Sequence, residues 1–502
     1  MKPIGSVTLF CQFLDAEDRK IMEDIMEKAT DYVDYVHMLG RKLLEIVASP
    51  KLVHVCVRLA RPMEAYGLIE QLGQKYPEND FIRPHYIWAR VRTGSEEMSA
   101  LELATRVALE AQHDDWIAFS FHFLRSGECE RHAPNGKVSQ DALSGMEQIV
   151  KNNPNLAFLG SYVHYLISIE KELEGSIDEA IDLRKKSIAI ALEFDDYVLA
   201  IPILRELAPL VMRKDSAEAM RILESIEEYY TVFGFPASES TYFQSTRGLL
   251  HLIRGEFDTS VEALEQSISL SEKRHPFPTL RHSPHRLALN YLDMGRMQSA
   301  AEWAKLALAS KSTLVSYPLY IPLAHLIMSC ALCEMGNIEE ASKHLSLGHE
   351  LSLKVGDESL LLYSYYASGL IDIAQGDILS GMASLEQALE IAERLAIQHR
   401  VHSILLKMIE CEIVLAGSDQ LKSEEGSGRW MDHLESILEK NDFPGIRGLL
   451  SLLKSQYRIK QGRIEEAHKI LKEVRALARS PGLQYLNERI DETQSMIEHI
   501  PG

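Results

Sequence analysis

Gly336-Asn-Ile338-Glu-Glu-Ala341 and Gly462-Arg-Ile464-Glu-Glu-Ala467 are two copies of one turn, and the fold follows from what surrounds them. Glycine ends a helix in left-handed backbone that other residues resist. The apolar residue two positions later staples the start of a second helix, and the small residue three positions beyond it faces the first. Working outward, Gly255, Gly295, Gly336 and Gly376 stand 40, 41 and 40 residues apart. Gly175 lies 80 residues before Gly255, and Gly462 lies 86 after Gly376, each two periods, the second with a small insertion. Between Gly175 and Gly255 one unit is degenerate, with Lys214-Asp215 in place of its glycine. A sustained period of this length marks a repeat architecture.

The companions of each glycine repeat too. Seven residues before stand Ser168, Gly248, Ala288, Ser329, Gly369 and Ser455, all small, as a close helix crossing requires. Two residues after come Ile177, Phe257, Met297, Ile338, Ile378 and Ile464; five after come Ala180, Ser260, Ala300, Ala341, Gly381 and Ala467. The unit is therefore a helical hairpin with a tight turn. Apolar residues recur at three- and four-residue spacing over 338–351 and 385–395, while strand alternation is nearly missing; only Ser6–Leu14 reads as a possible extended segment.

This pattern resembles the tetratricopeptide repeat family over about residues 41–480, although the period is nearer 40 residues than 34 and the family's tryptophan and closing proline are mostly missing. The longer unit is similar to those in the helical sensor arms of maltose-activator-type signalling proteins. The resemblance implies an all-α, right-handed superhelical solenoid of about ten or eleven hairpins. We expect an N-terminal helical cap over 1–40, divergent hairpins over 41–154, regular repeats over 155–416, a loop insertion at 417–430, and C-terminal repeats with a capping helix over 431–502.

Composition limits the function. The chain has 502 residues, 53 Lys and Arg against 73 Asp and Glu, and a net charge of −20, so its surface repels nucleic acid. The 6 cysteines lie mostly in apolar helical patterns, which suits a reducing compartment. The apolar run Ile4–Leu14 leads into acidic residues without a small-residue cleavage site, and no stretch approaches the ~20 apolar residues of a membrane span. The expectation is a soluble, cytoplasmic chain that does not bind membranes. No phosphate loop, Gly-x-Ser-x-Gly elbow or His-Glu-x-x-His motif is present, so neither an enzyme site nor a cofactor is indicated. Cys330-Ala-Leu-Cys333 reads as two packing residues, and the pairs Cys129/His132 and His399/His402 as surface or capping groups rather than metal ligands.

The candidate binding residues lie thirteen and ten positions before the glycines, on slots that in the repeat family line a concave peptide groove. They are Tyr162/Tyr165, Tyr242/Ser245, His282/His285, Leu323/Leu326, Tyr363/Tyr366 and Leu449/Leu452. Tyr and His have apolar bodies and polar tips suited to gripping a peptide; the same rings would equally serve as packing between neighbouring helices. Seven basic residues face three acidic ones between positions 270 and 320, an exception in an acidic chain. Tyr242, Arg281, His282, His285, Arg286, Tyr363 and Tyr366 are accordingly the expected contacts of a peptide or protein partner, possibly an acidic one. The chain reads as a non-enzymatic interaction scaffold, with an effector-sensing regulatory arm of a signalling or transcription-control system as the alternative.

Overall fold

The fold is that of a computed structural model describing residues 5–30, 32–46, 49–60, 66–77, 82–93, 96, 98–110, 114–125, 139–232, 240–274, 282–309, 320–415 and 428–499. Among these residues every regular element is a helix. From residue 160 onward the helices pair as hairpins: Gly160–Leu173 with Ile177–Glu193, Tyr197–Met212 with Ser216–Val232, Thr241–Arg254 with Phe257–Arg274, and His282–Met294 with Met297–Ala309. Then follow Tyr320–Glu334 with Ile338–Val355, Glu358–Ala374 with Ile378–Arg394, Gln398–Leu415 with Arg429–Lys440, and Pro444–Lys460 with Ile464–Leu477. Helix Leu486–Glu498 closes the array. The N-terminal segment Gly5–Cys11, where sequence allowed an extended reading, is helical and packs Val7 and Phe10 into the core.

The turn chemistry explains the pairing. Gly175, Gly255, Gly295, Gly336, Gly376 and Gly462 all have positive φ, between 72° and 92°. The apolar residue two positions on opens the next helix every time. In the degenerate unit Asp215 does the work from the other side, its carboxylate accepting the Glu218 amide at 2.8 Å as an N-cap. The paired small residues then let the backbones touch: Ser260 and Ser329 hydroxyls donate to the carbonyls of Gly248 and Ala341 at 2.6 and 2.8 Å. A Cβ on Gly369 would stand 2.8 Å from the Gly381 carbonyl oxygen.

The link between hairpins repeats a left-handed position that sequence did not advertise. Gly356 occupies it with φ 71°, but Asp195 and Ala396, both at φ 54°, occupy it elsewhere. Local hydrogen bonds pin Ala396 there, with Ile397 donating to the Ala392 carbonyl at 2.8 Å.

First helices pack against first helices of the next hairpin, as Tyr320–Glu334 does against Glu358–Ala374, and so form an inner layer; the second helices lie outside. Solenoid units ordinarily touch only their neighbours. Here the coil also closes on itself. The turn of the third hairpin meets the start of the eighth, so tightly that a Cβ on Gly445 would lie 1.9 Å from the Gly255 carbonyl oxygen. Tyr485, 2% exposed, donates its hydroxyl to that carbonyl at 3.0 Å. The Asp442 amide donates to the Ser216 hydroxyl at 3.1 Å, and Arg296 reaches Glu488 at 2.7 Å. A second apolar cluster seals this seam, joining Leu252, Phe257 and Met294 to Leu449, Leu471 and Ile490.

Candidate functional site

Closure of the coil encloses part of its concave side. The inner helices of hairpins three to eight, together with Leu486–Glu498, line a cavity of ≈ 310 Å³. Its apolar wall includes Leu252, Leu292, Leu406 and Leu453; its polar wall includes Asp293, Ser403 and Lys407. The position follows from helix periodicity, since residues three and four apart on each inner helix face the same interior.

Two charge clusters stiffen this wall across the coil. Arg400, wholly buried, donates from Nη2 to both Asp293 oxygens at 2.7 and 2.6 Å, and Ser403 donates to Asp293 at 3.0 Å. The guanidinium also lies 5.6 Å from the ring centres of Tyr363 and Tyr366, within cation–π range. Burial pushes the Asp293 carboxyl above its ordinary range, with Arg400 pulling the other way. Arg400 remains protonated, and its Nε and Nη1 are buried without a hydrogen-bond partner. Lys407 bridges Glu334 at 2.8 Å and Glu410 at 3.2 Å. Burial opposes its charge, and the two carboxylates more than restore it, holding the ammonium above its ordinary range.

Of the residues expected from sequence, Tyr366 lines the cavity, and Tyr363 stands behind it with its hydroxyl 3.3 Å from His399 Nε2. Both rings are buried, as are Tyr162, Tyr165, Leu326, Leu449 and Leu452. Tyr242 carries the Arg205 guanidinium 4.2 Å above its ring. His285 is buried, with Nε2 2.9 Å from the Tyr320 carbonyl. Arg286 turns inward and donates to Ser245. Arg281 and the side chain of His282 lie outside the described residues. Among the described side chains of the basic segment, Arg286 points inward and Arg296 is paired with Glu488.

The pair His399/His402 departs from the surface reading. His402 is 1% exposed, its ring 4.7 Å from that of Phe443, and burial lowers its imidazole to about 3. Burial, with Arg400 beside it, also carries His399 well below the usual range. Cys330 and Cys333 are buried in their helix, and burial pushes the Cys333 thiol up to about 11. Cys129 and His132 lie outside the described residues. Among the described residues no three metal-ligating side chains gather, and no helix is long and apolar enough to cross a membrane.

Sequence reasoning missed Asp293, Arg400, Ser403, Lys407 and Glu334. The separations of 107 residues for Arg400–Asp293 and 73 for Lys407–Glu334 leave no local pattern to read.

No family model matches the chain. No curated protein matches it either. Among solved structures, a Rap protein complexed with Competence and Sporulation Factor is similar at 12% identity and TM-score 0.46, over 68% of this chain and 99% of that one. Aspartyl phosphate phosphatase F from Bacillus subtilis is similar at 14% identity and TM-score 0.32, over 79% of this chain and 93% of that one. Yeast Tom70 is similar at 11% identity and TM-score 0.33, over 98% of this chain and 97% of that one. These are proteins of helical repeats of the tetratricopeptide type.

Proposed function

We propose that this chain is an interaction scaffold that takes a peptide, or an extended segment of a partner protein, against the inner helices of its superhelix. The observation that carries the reading is the cavity itself. Six hairpins and the terminal helix converge on it, and it combines leucines, which give affinity by burial, with fixed charges, which set orientation. The candidate contacts are Tyr242, Arg286 and Tyr366, with His285 and Tyr363 packed beside them; Arg281 and His282 are proposed with them from the sequence pattern. Binding, rather than turnover, is what a wall of spent ion pairs and packed rings suits.

The size of the cavity favours one second reading. At ≈ 310 Å³ it stands at the low end of small-molecule sites, which suits an effector-sensing regulatory arm. Leu406→Trp tests both readings, because it fills the cavity with a ring. Native lysate is passed over wild type and variant, and polypeptides and small metabolites retained by each are identified by mass spectrometry. The scaffold reading expects polypeptides held by wild type and lost by the variant; a retained metabolite alone favours the effector reading. Identical retention by a folded variant refutes both.

A further inference from the structure

Two guanidiniums on the inner layer have no carboxylate partner among the described residues. Arg205, on helix Tyr197–Met212, stacks over Tyr242 at 4.2 Å, and its Nε is buried without a hydrogen-bond partner. Arg286, on helix His282–Met294, donates from Nη1 to the Ser245 carbonyl at 3.1 Å and to Ser245 Oγ at 2.7 Å. Tyr242 and Ser245 are three residues apart on helix Thr241–Arg254. Side chains so spaced are ~5–6 Å apart on one helix face, so both guanidiniums sit against the same face. They sense each other: burial lowers the proton affinity of Arg286, and the charge of Arg205 adds to that effect.

The nearby acids are engaged elsewhere. Glu206 accepts the Tyr165 hydroxyl at 3.1 Å and stands 3.7 Å from Arg184, while Asp293 holds Arg400. Arg184 and Arg400, also buried, each have a carboxylate, Glu172 and Asp293 respectively. In so acidic a chain, two adjacent cations without a carboxylate partner among the described residues are an anomaly. Their desolvation and mutual repulsion raise the energy of the empty site. An oxyanion seated between them removes both penalties, and the planar donor fork of arginine matches a carboxylate.

We propose that Arg205 and Arg286 form an anion subsite on the inner face of the superhelix that takes a carboxylate of an acidic peptide ligand. The subsite rests on the peptide-binding reading of the interior and specifies the chemistry of the ligand. Tyr242 supplies an apolar platform beside it, and Ser245 fixes the fork of Arg286.

The test has two arms, run on the full chain. In the first, saturation-transfer difference NMR measures binding of propionate and of propionamide to wild type, to Arg205→Gln with Arg286→Gln, and to Arg205→Lys with Arg286→Lys. Wild type should bind propionate in preference to propionamide, and the double Gln variant should bind it about tenfold more weakly, as loss of one charge-assisted hydrogen bond implies. The double Lys variant, which keeps the charge, should retain binding and so exclude misfolding as the cause. Equal binding of propionate by wild type and the double Gln variant, equal binding of propionate and propionamide, or no propionate binding overturns the subsite. In the second arm, fluorescence anisotropy compares a random pentapeptide pool rich in Asp and Glu with the same pool carrying Asn and Gln instead. The acidic pool should bind more tightly to wild type, and the difference should vanish in the double Gln variant. Pools that bind equally well overturn the subsite, whereas pools that both fail to bind overturn the peptide reading on which it rests.

Discussion

Gly445→Ala should loosen the joint that closes the coil. A methyl at Gly445 would stand 1.9 Å from the Gly255 carbonyl oxygen and 2.3 Å from its carbon. Both are backbone atoms, so no rotamer change relieves the contact and the two turns must part. Overpacking of this kind costs ~1–3 kcal/mol. Parting the turns also strains the Tyr485 hydroxyl bond to the Gly255 carbonyl, which contributes ~0.5–1.5 kcal/mol. Against this, alanine improves helix propensity over glycine by at most ~1 kcal/mol. The net expectation is destabilisation by about 0.5–3.5 kcal/mol, once the propensity gain is subtracted from the overpacking and hydrogen-bond losses. Gly160 is the control, since a methyl there meets nothing nearer than Val150 Cγ1 at 3.8 Å. Gly160→Ala should therefore stabilise by up to ~1 kcal/mol. Urea unfolding gives the free energies. Hydrogen exchange locates the damage, which should appear at residues 254–258, 444–448 and 483–486. If Gly445→Ala is as stable as wild type and exchange at 254–258 is unchanged, the third and eighth hairpins do not meet and the cavity they help to form falls with them.

Ala396→Gly should stabilise and Gly356→Ala should destabilise, each by up to ~1 kcal/mol, because both positions are left-handed and only glycine adopts that backbone without strain; paired thermal melts decide. Asp293→Asn leaves the buried Arg400 charge uncompensated and should cost ~3–5 kcal/mol in urea unfolding at pH 7, whereas Asp293→Leu combined with Arg400→Met should recover most of the loss. His325 and His344 meet through their Nδ1 atoms at 2.9 Å, a hydrogen bond when one is the donor tautomer, and burial lowers both imidazoles. Their stabilisation is present above the unfolded value near ~6.5 and is lost as pH falls through the depressed folded values, so exchange over 320–355 should rise on acidification, and His344→Gln should flatten that dependence. Glu412 has the opposite sign: burial raises it to about 7 against the pull of the Trp430 and Gly428 amides. Its protonated form is the stabilised one, so its contribution is complete below ~4.5 and lost as pH rises through the folded value. Comparing wild type with Glu412→Gln, which cancels the contribution of His399 and His402 on the same helix, isolates it.

The hairpins were legible because their instructions are local. A left-handed glycine, an apolar staple and a pair of small residues act within fifteen positions, and the structure finds all six glycines at positive φ with the staple opening the next helix. The left-handed links at Asp195 and Ala396 escaped notice because neither residue type announces such a conformation; surrounding hydrogen bonds impose it. The inner slots were legible as a set, but not their burial, since Tyr363 and Tyr366 are enclosed by a helix that begins 32 residues beyond Tyr366. Closure was not legible at all. It depends on the rotation between successive hairpins, accumulated until Gly445 arrives at Gly255, and no single turn encodes that sum. The cavity, the Asp293–Arg400 pair and the two arginines beside Tyr242 and Ser245 are consequences of the same accumulation. The sequence by itself determined the repeat unit, because backbone and packing preferences act over neighbouring residues; only the tertiary structure decided which inner faces meet, because that depends on the geometry of the whole coil.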